Sequence, residues 1–496
     1  SLLAYEEEEV DLNESEKDTV IDALDVIKII DPACGSGAFP MGILQKMLLI
    51  LQKIDPESKK WLTKKVIKIE NAIVRKEFQK KVEAENWNYV HKLGIIQNSI
   101  YGVDIQPIAV DISKLRFFLS LIVDEKVDDV KENSGVEPLP NLEFKFVCAN
   151  SLIGLPRKNS QTELFEVTDN IRELKKLREE YLRCYGDEKI SIEKKFQDIQ
   201  SRMFLSSLKW GGKDSQTVKL SQWNPFSGES SGWFDPDWMF GVKDGFDIVI
   251  GNPPYIFSRE NISSEEKRIY KSLYTLTQFK INLYILFIEK GYNLLKDNSG
   301  SLFFVTPNNW LTLNTNSDLR KFLLTETGDI HILQNYVNVF ESASVDTVVV
   351  GFKKGGSHVL KYHEWVDKIP ILKHTKDSNY YLDNKKFIIS DTEDSLDSKQ
   401  WSYENEVKTL EEIAIVKNGV QAYTVGEGTP VCTKEIREKR VYHSDKKKDN
   451  SWIKYLDGVD VSRYNLGWSG QFIKYGKNLA RPREAELFIN ERILVR

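Results

Sequence analysis

The chain has 496 residues, 41% of them apolar and 11% aromatic, which exceeds one typical domain and is ordinary for a globular protein with a sizeable core. A net charge of −5 excludes a protein that is basic all over, and no apolar run reaches the roughly 18–20 residues a membrane span needs, so no membrane partner is expected and the cytoplasm is the expected location. Four scattered cysteines (Cys34, Cys148, Cys184, Cys432) with no CxxC pair, and histidines without helical spacing, point to free thiols and no metal site.

Residues 5–18 include "EEEE" and further acids and read as a solvated lead-in. "VIKIID" (26–31) reads as a strand that enters the Gly-rich turn "DPACGSGAF" (31–39), and "AFPMGILQKMLLILQKI" after it is helical. Small residues at 33–37 let a backbone approach a ligand closely. No Gly-Lys-Ser/Thr follows, so a phosphate cradle is disfavoured. Cys34 has no histidine near it in sequence and reads as a small packing residue rather than a nucleophile.

"YGVDI" (101–105) is a short strand that ends at Asp104, followed by an amphipathic helix around "IAVDISKLRFFLSLIV". An acid at that strand end is suited to accept hydrogen bonds from ribose hydroxyls. Together with the preceding Gly-rich loop it points to a nucleoside ligand with no obligatory pyrophosphate contact, and S-adenosylmethionine fits that description. "LEFKFVCAN" (142–150) alternates and reads as a third strand. Strand, turn and helix repeating in this way imply βαβ units and a mostly parallel, Rossmann-like α/β sheet.

Residues 156–245 interrupt the pattern with two charged helical segments, read as an inserted helical hairpin. In the second, Ile192, Phe196, Ile199 and Met203 define one apolar face. The α/β rhythm resumes at "DIVIG" (247–251), with a helix over 279–296 and strands over 301–306 and 345–352. Residues 355–400 read as polar and irregular, and a second domain is expected to start near Val407. Residues 401–496 hold 17 Lys+Arg against 14 Asp+Glu, a balance of +3 that leaves −8 for the rest, so this part is the better candidate for touching nucleic-acid phosphates.

Asn252-Pro253-Pro254-Tyr255 ends the "DIVIG" strand abruptly. One reading is plain strand termination. The other starts from an exocyclic amino group whose lone pair is delocalised into a base. Two acceptors on its N–H bonds, the Asn252 amide oxygen and the Pro253 carbonyl, favour the tetrahedral geometry required for attack on a methyl sulfonium. The prolines fix the carbonyl's direction beforehand, and Tyr255 stacks on a base that has left its duplex.

"DPACGSGAF", "YGVDI" and "NPPY", in this order, resemble motifs I, II and IV of the gamma-class methyltransferases that modify adenine in DNA, and more closely the type IIG restriction–modification family. The resemblance covers about residues 20–355. It implies cofactor contacts from Asp31, Ala33, Gly35, Gly37, Phe39 and Asp104, and base contacts from Asn252, Pro253, Pro254 and Tyr255. Phe340 stands where the family has a second aromatic against the flipped adenine, and Asn150 where many relatives have an acid near the cofactor's adenine. The family's aromatic-Thr-Pro segment is not found before Asp31, and the expectation is a piece of a longer enzyme whose nuclease region lies elsewhere. "VKNGVQAYTVGEGTP" and the basic stretches 434–448 and 474–483 resemble the start of a target-recognition domain. The expected domains are therefore a methyltransferase over 1–400 and a partial recognition domain over 401–496, acting on double-stranded DNA. Two rivals stay open: a protein glutamine methyltransferase, which shares Asn-Pro-Pro-Tyr, and a DNA-binding specificity scaffold without activity.

Overall fold

The computed structural model describes residues 3, 11–56, 60, 61, 63, 64, 87–124, 141–155, 165–182, 184, 186–210, 216–255, 262–277, 281–334, 346–366, 369–390, 413–415, 417–462, 465–488 and 492–494. The chain divides into two compact units, Ser1–Glu393 and Asp394–Arg496.

In the first unit α1 (Glu14–Val26) precedes β1 (Ile29–Asp31), and α2 (Ala38–Ile54) follows it. The acidic lead-in is thus only partly a lead-in. Asn13 and Glu16 form a capping box that starts α1, each accepting the other's backbone N–H. Next come α3 (Trp87–Asn98), β2 (Ile100–Asp104), α4 (Pro107–Ile122) and β3 (Phe146–Cys148). The interruption contains the helical pair α5 (Phe165–Tyr181) and α6 (Asp187–Trp210), then two short helices, α7 (Gln216–Gln222) and α8 (Pro236–Phe240). Phe196, Ile199 and Met203 of α6 are buried, as their spacing implies. After β4 (Ile248–Gly251) come α9 (Ser264–Leu273), α10 (Leu283–Leu294), β5 (Ser301–Pro307), α11 (Ser317–Glu326), β6 (Gly328–Gln334) and β7 (Thr347–Lys353).

Part of the stretch read as irregular is regular. Residues 359–377 form a two-strand extension, β8 (Val359–Val366) and β9 (Ile369–Asp377). Only alternate residues of β8 face the core, Leu360 and Tyr362 among them, and β9 is an edge strand exposed along most of its length. That pattern leaves lysines, histidines and a tryptophan between the apolar positions and gives the segment a polar look.

The nine strands form one sheet in the order β3-β2-β1-β4-β5-β7-β6-β8-β9. Seven run in one direction, with β7 and β9 reversed. One apolar layer joins Ile30, Val249, Leu302, Phe304, Val348, Val350, Ile330 and Leu360 to the inserted helices. A second layer, on Ile29, Ile100 and Phe146, is covered by α1 to α4. From β1 the chain builds outward to β2 and β3, then returns to place β4 and β5 on the other side of β1. The strand order reverses between β1 and β4, and in such sheets ligands bind in the crevice beyond the carboxyl ends of the strands at that point.

The second unit holds a three-stranded sheet (β10 His443–Ser444, β11 Trp452–Lys454, β14 Phe472–Lys474, in the order β10-β14-β11) and a two-stranded ribbon (β12 Val461–Ser462 with β13 Asn465–Leu466). Its small core contains Ala422, Tyr442, Ile473 and Leu479. The domain start expected near Val407 lies outside the described residues. Among the described residues no helix is long and apolar enough to cross a membrane.

Candidate active site

Three strand ends converge on the β1–β4 crevice. Asp31 ends β1 directly beside Gly102 of β2, and Gly251 ends β4 on the other side. Asp31 is 2% exposed and accepts the Ala33 N–H at 3.0 Å, while a Cβ on Gly251 would lie 2.5 Å from its Oδ1. Only glycine lets the carboxylate rest against β4, so the first and last motifs touch through this pair. Burial drives the Asp31 carboxyl up to about 8, against the Ala33 N–H that favours its charge, and the nearby Asp104 carboxylate adds to the rise.

The Gly-rich loop is clamped from both sides at one residue. Gly35 donates its N–H to Asp104 Oδ2 at 2.9 Å, and its carbonyl accepts from Ser113 Oγ on α4 at 2.9 Å. Gly35 has φ +53° and Gly37 φ +81°, a region that costs side-chain-bearing residues strain. A Cβ on Gly37 would also lie 2.9 Å from Ser113 Oγ, whereas one on Gly35 would meet nothing within 4 Å. The loop therefore packs tightly on α4 at Gly37 and opens onto free space at Gly35. Asp104 Oδ1 takes the Gln106 N–H at 2.9 Å, so each of its oxygens holds one backbone donor and keeps acceptor capacity for another partner. Beside it Ile105 is 55% exposed, an apolar platform next to a polar acceptor. Sequence reasoning passed over Ile105, although an isoleucine just beyond the strand-end acid was the available signal. Ser113 gave none, because its contact spans 78 residues.

At the end of β4, Pro253 is buried and Asn252, Pro254 and Tyr255 are half-buried. The Tyr255 hydroxyl lies 2.6 Å from Asn252 Oδ1 and 3.1 Å from the Val305 carbonyl of β5. Its ring meets Tyr284 of α10 edge-on at 6.2 Å, and the Tyr284 hydroxyl reaches Asn309 Oδ1 at 3.4 Å. Burial pushes the Tyr255 phenol up to about 12, so it stays a protonated donor near neutral pH.

Phe39 is half-buried in the first turn of α2. Asn150 follows β3, where its side chain accepts the Leu152 N–H at 3.1 Å, and Ser151 Oγ donates to the Pro32 carbonyl at 2.7 Å, tying this loop to the Gly-rich one. Phe340 lies outside the described residues. Cys34 is buried, and burial, with Asp31 and Asp104 nearby, raises its thiol well above the ordinary range, which suits packing against Gly102 and not nucleophilic attack. In the second unit Lys439 pairs with Glu435, Arg440 with Asp457 and Arg481 with Glu427, while Lys446, Lys447 and Lys448 are exposed. No group of three or more possible metal ligands occurs among the described residues.

A Rossmann-like sheet with a Gly-rich loop, a strand-end acid and an Asn-Pro-Pro-Tyr turn around its switch point has the architecture of a methyltransferase domain. Residues 98–340 match the family model of the Eco57I restriction-modification methylase. It is 27% identical over 96% of its length to a putative type II restriction enzyme and methyltransferase of Methanocaldococcus jannaschii, covering 42% of that protein. A type II methyltransferase of Thermus thermophilus is 36% identical over 24% of the chain and 31% of its own length. The chain thus spans less than half the length of these curated relatives. Among solved structures, the type IIL restriction-modification enzyme MmeI in complex with DNA overlaps 93% of the chain and 47% of its own, at 12% identity and a TM-score of 0.42.

Proposed function

We propose that this chain is the modification part of a restriction–modification enzyme and transfers a methyl group from S-adenosylmethionine to the exocyclic amine of adenine in duplex DNA. The observation that carries the reading is the convergence of the Gly35 loop, Asp104 and Asn252–Tyr255 on one crevice, with Asp31 resting on Gly251 between them.

The residues fit the cofactor. Open space beyond Gly35 admits a ligand close to the backbone, Asp104 retains acceptor capacity for ribose hydroxyls, and exposed Ile105 offers a face to an adenine ring. Asp31, Ala33, Gly37, Phe39 and Asn150 complete the set the resemblance assigns. When bound, S-adenosylmethionine supplies an electrophilic methyl on a sulfonium. The chain's own part is to hold the amine. Asn252 Oδ1 and the Pro253 carbonyl accept its two N–H bonds and draw the nitrogen lone pair out of the ring, and Pro254 stiffens the turn that aims them. Tyr255 stacks on the flipped base, with Phe340 as the second aromatic. Because the amine becomes acidic as the new bond forms, no strong base is required before transfer. The second unit, with its exposed lysines, starts the target-recognition part.

Methylation sequencing of DNA from cells that express the full-length protein, with Asn252→Ala as control, tests the reading. N6-methyladenine at a fixed sequence in the wild type only is the expected result. Methylcytosine or an unmodified genome would refute it, and methylated protein glutamine would favour the rival enzyme.

A further inference from the structure

Tyr255 carries a hydroxyl that base stacking does not use. It has one hydrogen to donate and two acceptors in reach, Asn252 Oδ1 at 2.6 Å and the Val305 carbonyl at 3.1 Å. The second acceptor exists because of the turn. The β4–β5 ladder stops at Gly251–Phe304 as the Asn-Pro-Pro segment leaves the sheet, and Val305 is the first residue of β5 beyond it. A sheet carbonyl left at such an edge needs a donor. At 2.6 Å the hydroxyl donates to the Asn252 amide oxygen, which leaves the amide nitrogen turned away from the tyrosine.

We propose that the Tyr255 hydroxyl is a two-position donor that orients the Asn252 amide while the site is empty and transfers to the Val305 carbonyl when the substrate amine arrives. The inference rests on the reading of Asn252 as the acceptor of that amine. With no base present, the hydroxyl donates to Oδ1 and so fixes which way the amide is turned. When the amine donates to Oδ1, the phenolic hydrogen rotates about its C–O bond to Val305, with no heavy-atom movement. Asn252 Oδ1 has a donor in both states. Tyr255 is then a positioning residue through its hydroxyl as well as a stacking residue through its ring, and the two roles separate chemically.

The test uses the full-length enzyme and single-turnover methylation of DNA containing the target adenine. Tyr255→Phe keeps the ring. It is expected to slow methyl transfer roughly tenfold, with base flipping (read by 2-aminopurine fluorescence at the target) and the cofactor dissociation constant within twofold of wild type. In an Asn252→Asp background, where either carboxylate oxygen can accept and no orientation is needed, Tyr255→Phe is expected to cost less than twofold. Independently, 3-fluorotyrosine at position 255 is expected to change its ¹⁹F shift in Asn252→Ala without DNA; a hydroxyl anchored only on Val305 would not respond. Tyr255→Phe transferring at the wild-type rate, or a ¹⁹F shift indifferent to Asn252→Ala, overturns the switch. A wild-type enzyme that forms no N6-methyladenine overturns the underlying reading instead, so the two failures are distinct.

Discussion

The Gly-rich loop after β1 and the Asn-Pro-Pro-Tyr turn after β4 end neighbouring strands and face one crevice, yet they are built by opposite means. The loop gains its shape from residues with no side chain. Gly35 and Gly37 adopt positive φ, and the chain is then held by partners from elsewhere, Asp104 and Ser113. The turn instead restricts itself through two prolines and is tied to its surroundings by Tyr255, whose hydroxyl reaches Asn252 Oδ1 and the Val305 carbonyl. The loop must let a ligand approach backbone atoms, so it is thin and externally braced. On the proposed function the turn keeps an amide oxygen and a carbonyl aimed at a nitrogen, a task that stiffness from within suits. Damage to the loop should therefore appear in cofactor affinity, and damage to the turn in the rate of transfer.

The largest expected effect tests the turn. If Asn252 accepts from the amine as proposed, Asn252→Ala should lower the transfer rate about 10²–10³-fold, by analogy with other preorganised hydrogen-bonding groups. Single-turnover assays check this, and calorimetry should find cofactor binding within about twofold of wild type. A comparable loss of cofactor binding would mean that the two turns are not separable. Gly251→Ala strikes where they touch. A methyl at 2.5 Å from Asp31 Oδ1 must displace the carboxylate or the strand, and the overpacking should cost about 1–3 kcal/mol in denaturant unfolding. This variant should impair both affinity and rate, which no change confined to one turn should do.

The same contrast explains what could be read from the sequence. Glycine and proline punctuate a chain locally, so both turns, the strands that lead into them and the acid at Asp104 were legible from short patterns. The contacts that make the turns a site were not. Asp31 meets Gly251 across 220 positions and Ser113 meets Gly35 across 78, and no local pattern encodes such pairs. The hydroxyl of Tyr255 was hidden by the prominence of its ring. Strands β8 and β9 were misread because β9 is exposed along most of its length and only Leu360 and Tyr362 of β8 are buried, so charged residues outweighed that alternation. The Asn13–Glu16 capping box was present in the sequence but submerged in an acidic run.

Asp31 permits a test of how the loop end of the crevice is charged. Its folded-state carboxyl is raised to about 8 from an ordinary 3.8, chiefly by burial. Between those two values the folded protein binds one more proton than the unfolded chain, so stability falls as pH rises. The slope is at most about 1.4 kcal/mol per pH unit for one proton, full at pH 5–7 and gone above about 8. Asp31→Asn, neutral throughout, should abolish that part of the pH dependence in thermal unfolding of the cofactor-free protein. An unchanged profile would show that the carboxylate is charged in the folded state and solvated.

The smallest expected effect isolates the brace. Ser113→Ala removes the donor to the Gly35 carbonyl and leaves Asp104 holding the same residue by its N–H alone. A neutral hydrogen bond of this kind contributes about 0.5–1.5 kcal/mol, so the cofactor dissociation constant should rise by roughly two- to thirteenfold at most. The transfer rate at saturating cofactor should be unchanged, because nothing in the Asn-Pro-Pro-Tyr turn leans on Ser113. If that rate fell with the affinity, the brace would reach the reacting groups, and a link is available from the loop through Asp31 to Gly251, where the end of β1 rests on the end of β4.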